Sequence, residues 1–265
     1  MRTALTGVAT ALTILLLASA CGGFDPTLRV TLEVDTTSLR PDTKISETLD
    51  AVKDVVERRL DVFGASRKVT VEGEGRLIVE TSGITADEAR DLIGRTGLLR
   101  FMEAEEDEAG AIICRTKEGE QFAAQYPIEV SSGTCTTAEL TGEVIWKPAT
   151  GLRSGEVLTL TGRHVRRART DFFLTNVGSV PGVEIEFTDE GTLLYEQITT
   201  RLSSPPRPLG IFLDDELITS PRVSFPVSQG TTTILAFDDA RNLTIQINTG
   251  ALPAPVRVSL IEEIP

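Results

Sequence analysis

One histidine, one tryptophan and three cysteines in 265 residues leave the chain short of the side chains most enzymes rely on. A Ser-His-Asp relay would have to run through the lone His164. That residue stands among arginines, and no Gly-x-Ser-x-Gly elbow occurs anywhere. The only soft metal ligands near one another are Cys114 and Cys135, far in sequence from His164, so no zinc-type cluster can be assembled. No catalytic, cofactor-binding or metal-ligating residue is assigned, and His164 is expected on the surface. Cationic residues are also scarce: 26 Lys and Arg against 39 Asp and Glu give a net charge of -13. Such acidity argues against nucleic acid, because neutralising phosphates needs clustered Lys and Arg. Long apolar runs are missing beyond residue 20. Every later run is broken by charge within about ten residues, whereas spanning a bilayer takes ~20.

The N-terminus differs from the rest. Arg2 is a short positive region, and Val8 to Ala20 is almost wholly apolar. The stretch is too short to span a bilayer and has the build of a secretory signal peptide. It ends in Leu17-Ala18-Ser19-Ala20-Cys21-Gly22, which resembles the lipobox of bacterial lipoproteins, with Ala18 where Leu is usual. That resemblance implies cleavage of residues 1–20 and a lipid on Cys21, with 21–27 as a tether on the extracytoplasmic face of the cell membrane. The other two cysteines, Cys114 and Cys135, invite a disulfide in an exported chain. Closing their loop would contribute roughly 3 kcal/mol in the chain-entropy model. Two unpaired thiols are the alternative.

Periodicity places the elements. Leu28, Val30, Leu32 and Val34 alternate with polar residues and predict a strand. Ile45, Leu49, Val52, Val56, Leu60 and Phe63 recur at helical spacing, and Gly64 ends the helix. Gly73-Glu74-Gly75 joins two strands as a hairpin turn; as a phosphate loop it lacks the third glycine. Thr85 and Glu88 form a capping box for a second helix, followed by a strand from Leu99. Strand, helix, strand, strand, helix, strand is the split βαβ, ferredoxin-like arrangement. Residues 106–150 read as an insertion holding Cys114 and Cys135, after an acidic surface stretch around Glu105 to Glu108.

Residues 151–250 read as a second α+β unit. Thr161 is expected to cap a short helix carrying Arg163, Arg166, Arg167 and Arg169, a basic spot that is either a solvated face or a contact for lipid headgroups or an acidic partner. Val183 to Phe187 is a strand, Thr188 caps a helix, and Asp214-Asp215-Glu216 is a solvated turn. Thr232 to Phe237 is another strand, Asp238 caps the last helix, and Pro253 and Pro255 stop it. Val256, Val258 and Leu260 form a closing strand. Asn242-Leu243-Thr244 fits a glycosylation pattern but falls in a helix and is discounted.

Several stretches then become specific. Val56-Glu57-Arg58-Arg59-Leu60-Asp61-Val62-Phe63-Gly64, Arg76 to Glu80, Asp215-Glu216-Leu217-Ile218-Thr219-Ser220-Pro221 and Asn248-Thr249-Gly250-Ala251-Leu252-Pro253-Ala254-Pro255 resemble the first periplasmic domain of the SecD family, from roughly Leu28 to Ile264. The resemblance implies a ferredoxin-like base, residues 28–105 and 251–265, completed by the C-terminal strand, with an α+β head inserted. Phe24-Asp25-Pro26-Thr27 stands where the family has a Gly-Leu-Asp-Leu-type motif. The family's membrane segments have no counterpart here, so its proton-driven movement is not expected.

What the resemblance does imply is help in Sec-dependent export, by transient contact with unfolded exported polypeptides beside Sec translocon components. An envelope module recruiting a folded partner or a small ligand is the alternative. Peptide would add to an exposed head strand, at Val183 to Phe187 or Thr232 to Phe237, or rest apolar side chains in a groove.

Overall fold

In the computed structural model of the chain, residues 24–124, 133–175, 178–235 and 239–265 are described. The chain opens with β1 (Leu28–Val34), whose alternate residues Leu28, Val30, Leu32 and Val34 are buried. Helix α1 (Ile45–Phe63) buries one stripe and stops at Gly64, where φ is 93° and the N–H donates to the Leu60 and Asp61 carbonyls. A left-handed residue here suits glycine. β2 (Ser66–Glu72) and β3 (Arg76–Ser82) form a hairpin whose turn begins at Gly73, with φ 66°. Helix α2 (Ala86–Ile93) carries the Thr85–Glu88 capping box.

After β4 (Leu99–Ala104) come β5 (Ile112–Arg115), β6 (Gln121–Ala124), β7 (Thr134–Thr136) and β8 (Thr141–Val144), a separate sheet in the order β6-β5-β8-β7. Next are β9 (Trp146–Pro148) and the hairpin β10 (Thr150–Arg153) with β11 (Glu156–Thr159). A 3-10 turn at Gly162–His164 leads into the long hairpin β12 (Val165–Thr175) and β13 (Gly178–Phe187). Then follow α3 (Asp189–Leu202), β14 (Arg207–Leu213), β15 (Glu216–Thr219), β16 (Arg222–Val223), β17 (Thr231–Leu235), α4 (Ala240–Thr249) and β18 (Val256–Glu263).

The first sheet runs β18-β1-β3-β2 with every neighbouring pair antiparallel. This is the ferredoxin-like order, and the C-terminal strand occupies the fourth place. The fold is therefore α+β with a split βαβ base closed by the last strand. One strand departs from expectation. β4, expected inside the base, pairs with β14 and β9 instead. Its large residue explains why: the Phe101 ring lies 5.7 Å from Phe187 and 6.3 Å from Tyr195, in the second core. Such aromatic contacts add to the area term, while β18 fills the edge of β1 that β4 would have taken.

A second departure concerns the arginines. The helix expected after Thr161 is a single 3-10 turn, and Arg166, Arg167 and Arg169 lie on β12. Across the ladder stand Glu186 and Glu184 of β13. Opposite charges directly across a strand pair favour the extended form.

Among the described residues the buried apolar side chains form three clusters, one under the first sheet, one under β12, β13, β14 and α3, and a small one around Cys114 and Cys135. Helix α4 serves two of them. Its Ile245 belongs to the base core, while Leu243 and Ile247 belong to the second. Its start is capped by Asp239, whose side chain accepts from the Asn242 N–H; Asp238, expected as the cap, lies outside the described residues. Among the described residues, no helix is long and apolar enough to cross a membrane.

Candidate functional site

The sheet β12-β13-β17 places β13 in the middle. Val183 to Phe187 is therefore not an edge: both its sides are paired, to β12 and to β17. Thr231 to Leu235 does form an edge. The opposite edge, β12, is closed at Ala168 by a side chain. Asn248 of α4 accepts from the Ala168 N–H at 2.7 Å and donates to the Ala168 carbonyl at 2.9 Å. One amide thus imitates a neighbouring strand. Thr170 adds contacts to Ala240 and Thr244 of the same helix.

Beyond α4 the β12-β13 hairpin continues into solvent. Phe172 is 70% exposed and Leu174 is 92% exposed, on the same side of the strand as buried Ala168. The apolar face of the sheet therefore runs past the helix that covers it. Isolated exposed apolar residues need no explanation, but two consecutive inward positions on a projecting hairpin form a continuous patch.

Three of the four arginines of the basic spot are ion-paired with neighbouring carboxylates. Arg166 bonds Glu186 and Asp189, Arg167 bonds Glu186, and Arg169 bonds Glu184. The carboxyl of Glu186 is held below its usual range, first by its hydrogen bond to Arg167. Arg163 stands apart from these pairs: it is exposed, and its Nε donates to His164 Nε2 at 3.2 Å.

His164 is buried, at 1% exposure, which corrects the expectation of a surface residue. Its Nδ1 accepts from the Thr161 N–H at 3.1 Å. Its carbonyl accepts from the Thr188 N–H at 2.8 Å. The first turn of α3 rests on it at Gly191, where an added Cβ would stand 2.5 Å from the His164 carbonyl oxygen. Burial, then the neighbouring Arg163, lowers its pKa. The imidazole is a packing and capping group between two elements.

Asp214-Asp215-Glu216 is a turn, and its acids are spoken for. Asp214, at φ 57°, accepts from the Gly97 and Leu98 N–H groups at 3.2 and 2.8 Å. Asp215 bonds Arg100, and Glu216 bonds Arg95. The turn clasps the segment that leads out of the base into β4. Cys114 and Cys135 are joined by a disulfide and fully buried. Cys21 lies outside the described residues. Among the described residues no group of three or more His, Cys, Asp or Glu is placed to hold a metal ion.

One residue singled out only as part of a motif proves central. Arg59 is 0% exposed and bonds no carboxylate. Its Nη1 donates to the carbonyls of Leu92 and Arg95 at 3.1 and 2.5 Å, and its Nη2 to those of Thr96 and Gly250 at 2.7 and 3.1 Å. Burial lowers its pKa to about 10, which leaves it charged at neutral pH. The signal was in the sequence: position 59 lies on the apolar stripe of α1, between Val56 and Leu60.

Residues 139–254 match the family described as SecDF, P1 head subdomain. The chain is 27% identical over 245 residues to the protein translocase subunit SecD of Synechocystis sp., covering 87% of this chain and 51% of that protein. It is 30% identical over 213 residues to SecD of Magnetococcus marinus, covering 78% of this chain and 38% of that one. The chain thus spans about half the length, or less, of these curated relatives. Among solved structures, SecDF in the super-membrane-facing form aligns with a TM-score of 0.58 at 22% identity, over 88% of this chain and 30% of that chain. A structure titled for a membrane component SecDF that enhances protein export aligns at 0.57 and 23% identity, over 89% of this chain and 100% of that chain. At these identities the structures speak for the fold, and the sequence matches for descent. By sequence, residues 139–254 match the SecDF P1 head subdomain, and the chain around them is similar to SecD over most of its length.

Proposed function

We propose that the chain is an extracytoplasmic module that assists protein export by transiently holding unfolded polypeptide, tethered to the membrane by a lipid on Cys21. The observation that carries the export role is the match to SecD over most of the chain, together with the P1 head subdomain at residues 139–254. The apolar run before Cys21 supports export and anchoring. The buried Cys114–Cys135 disulfide supports an oxidising compartment. The base, in this reading, positions the head above the membrane, and the head meets the emerging chain. Force is supplied elsewhere, since the module as read here holds polypeptide without moving protons.

The test is photocrosslinking in cells that export a stalled secretory polypeptide, with a photoreactive residue placed at Phe172 of the full chain. Adducts with the stalled polypeptide are expected. Crosslinks confined to folded envelope proteins would overturn the reading. The anchor has its own assay: radiolabelled palmitate should enter the native chain and not Cys21→Ser, and equal labelling of both would remove the lipid from the account.

A further inference from the structure

Sheet edges invite pairing with another chain, and proteins usually blunt them with charge, proline, bulges or cover. Most edges here are blunted. β2 carries Arg67, Lys68 and Glu72. β18 carries Arg257, Glu262 and Glu263, and its ladder with β1 shifts register between Thr31 and Leu32. β12 carries Arg166, Arg167, Arg169 and Asp171, and Asn248 closes it at Ala168. β9 holds Lys147 and Pro148 in three residues.

Among the described residues no second strand pairs with β17, and the strand has neither charge, proline nor bulge. Its five residues, Thr231-Thr232-Thr233-Ile234-Leu235, are uncharged, contain no proline and pair with β13 without a register shift. It is the longest described edge strand of which this is true. Its β-branched residues suit an extended chain.

We infer that the free edge of β17 receives one extended, uncharged polypeptide segment as an added fourth strand. The inference rests on the polypeptide-holding role above and supplies its location. The occupant follows from the chemistry of the edge. A row of alternating N–H and C=O groups is matched by another strand about 4.8 Å away and by few other ligands. The side-chain environment is neutral. Thr231, Thr233 and Leu235 share a face with Glu186, Glu184 and Gly182, and both glutamates are already paired with arginines of β12. A charged segment would find no counter-charge there, and the net charge of -13 repels acidic ones. At Gly182 the sheet is thin, and the Phe173 ring covers the site where a Cβ would sit. That end of the edge is apolar.

The test uses the purified full chain in detergent and a short acetylated peptide of alternating valine and threonine carrying a fluorophore. Two further peptides are N-methylated on alternate amides, one on each edge of the strand. Edge addition requires one methylated peptide to lose at least about tenfold in affinity while the other binds like its parent. Equal binding, or equal loss, by the two overturns the proposal. This arm needs no variant, so it survives if a substitution prevents folding. In the second arm, the double variant T233K/L235K should weaken the parent peptide about tenfold with an unchanged circular dichroism spectrum. Unchanged affinity in that folded variant overturns the edge. An unfolded secretory polypeptide, titrated in parallel, separates the two claims. If it binds native and variant chains equally, the edge fails and the holding role stands; if it binds neither, the holding role fails as well.

Discussion

The guanidinium of Arg59 donates to the carbonyl of Gly250 at 3.1 Å, across 191 residues of chain. The same group holds the carbonyls of Leu92, Arg95 and Thr96. Both places where the chain passes between the first core and the second are therefore pinned by one side chain. Arg59→Met should lower stability by about 3 kcal/mol, since buried carbonyls would lose their donors. Arg59→Lys should recover only part of this, because an ammonium cannot span four acceptors as a planar fork does. Denaturant unfolding of the three proteins checks the order; a methionine variant as stable as the native chain would contradict it.

His164 gives the fold an acid sensitivity. Its folded pKa lies below the ordinary 6.5 because of burial, and then because of Arg163. The unfolded chain therefore binds this proton first as pH falls. The associated stability is complete above about pH 6.5 and is lost as pH falls through the window below it. Asparagine at 164 keeps an acceptor for the Thr161 N–H and carries no proton. Thermal melts across mildly acidic pH should show a shallower slope for His164→Asn than for the native chain, and parallel slopes would refute the assignment.

Asn248→Leu removes the amide that closes β12. The N–H and carbonyl of Ala168 lose their partners, at an expected cost of about 1–3 kcal/mol. The exposed edge should also promote self-association. Light scattering that stays monomeric, with an unchanged melting temperature, would count against Asn248 as the closing group.

The disulfide should act locally. Cys114 and Cys135 are 21 residues apart and sit in the small core under β5, β7 and β8. Cys135→Ser should cost about 3 kcal/mol in that subdomain. Hydrogen exchange is expected to rise in β5 to β8 and stay unchanged in β1 and β3. Uniform acceleration across the chain would show that the bridge braces more than its own sheet.

Much of the base was readable because its elements are amphipathic in isolation. Alternation marked β1, the three-four spacing marked α1, and Thr85 with Glu88 marked the start of α2. β4 reads as a strand, but its partners are not legible, since its register depends on where Phe101 finds Phe187 and Tyr195. The start of β12 reads as a helix because a capping threonine followed by arginines suits a helix start. The inward sequence Ala168, Thr170, Phe172, Leu174 carried the strand period all along. The burial of His164 could not be read, because it depends on α3 landing there through Gly191. The difference between the two sheet edges was equally hidden, since it turns on Asn248, 80 residues from the backbone it bonds.

Helix α4 has a thermodynamic consequence. Ile245 is embedded on one side of the molecule while Leu243 and Ile247 are embedded on the other. Neither side can melt without stripping packing from the other, so a calorimeter should record one cooperative endotherm where two independent lobes would give two. A splayed or doubled heat-capacity peak would mean that the lobes unfold as separate thermodynamic units.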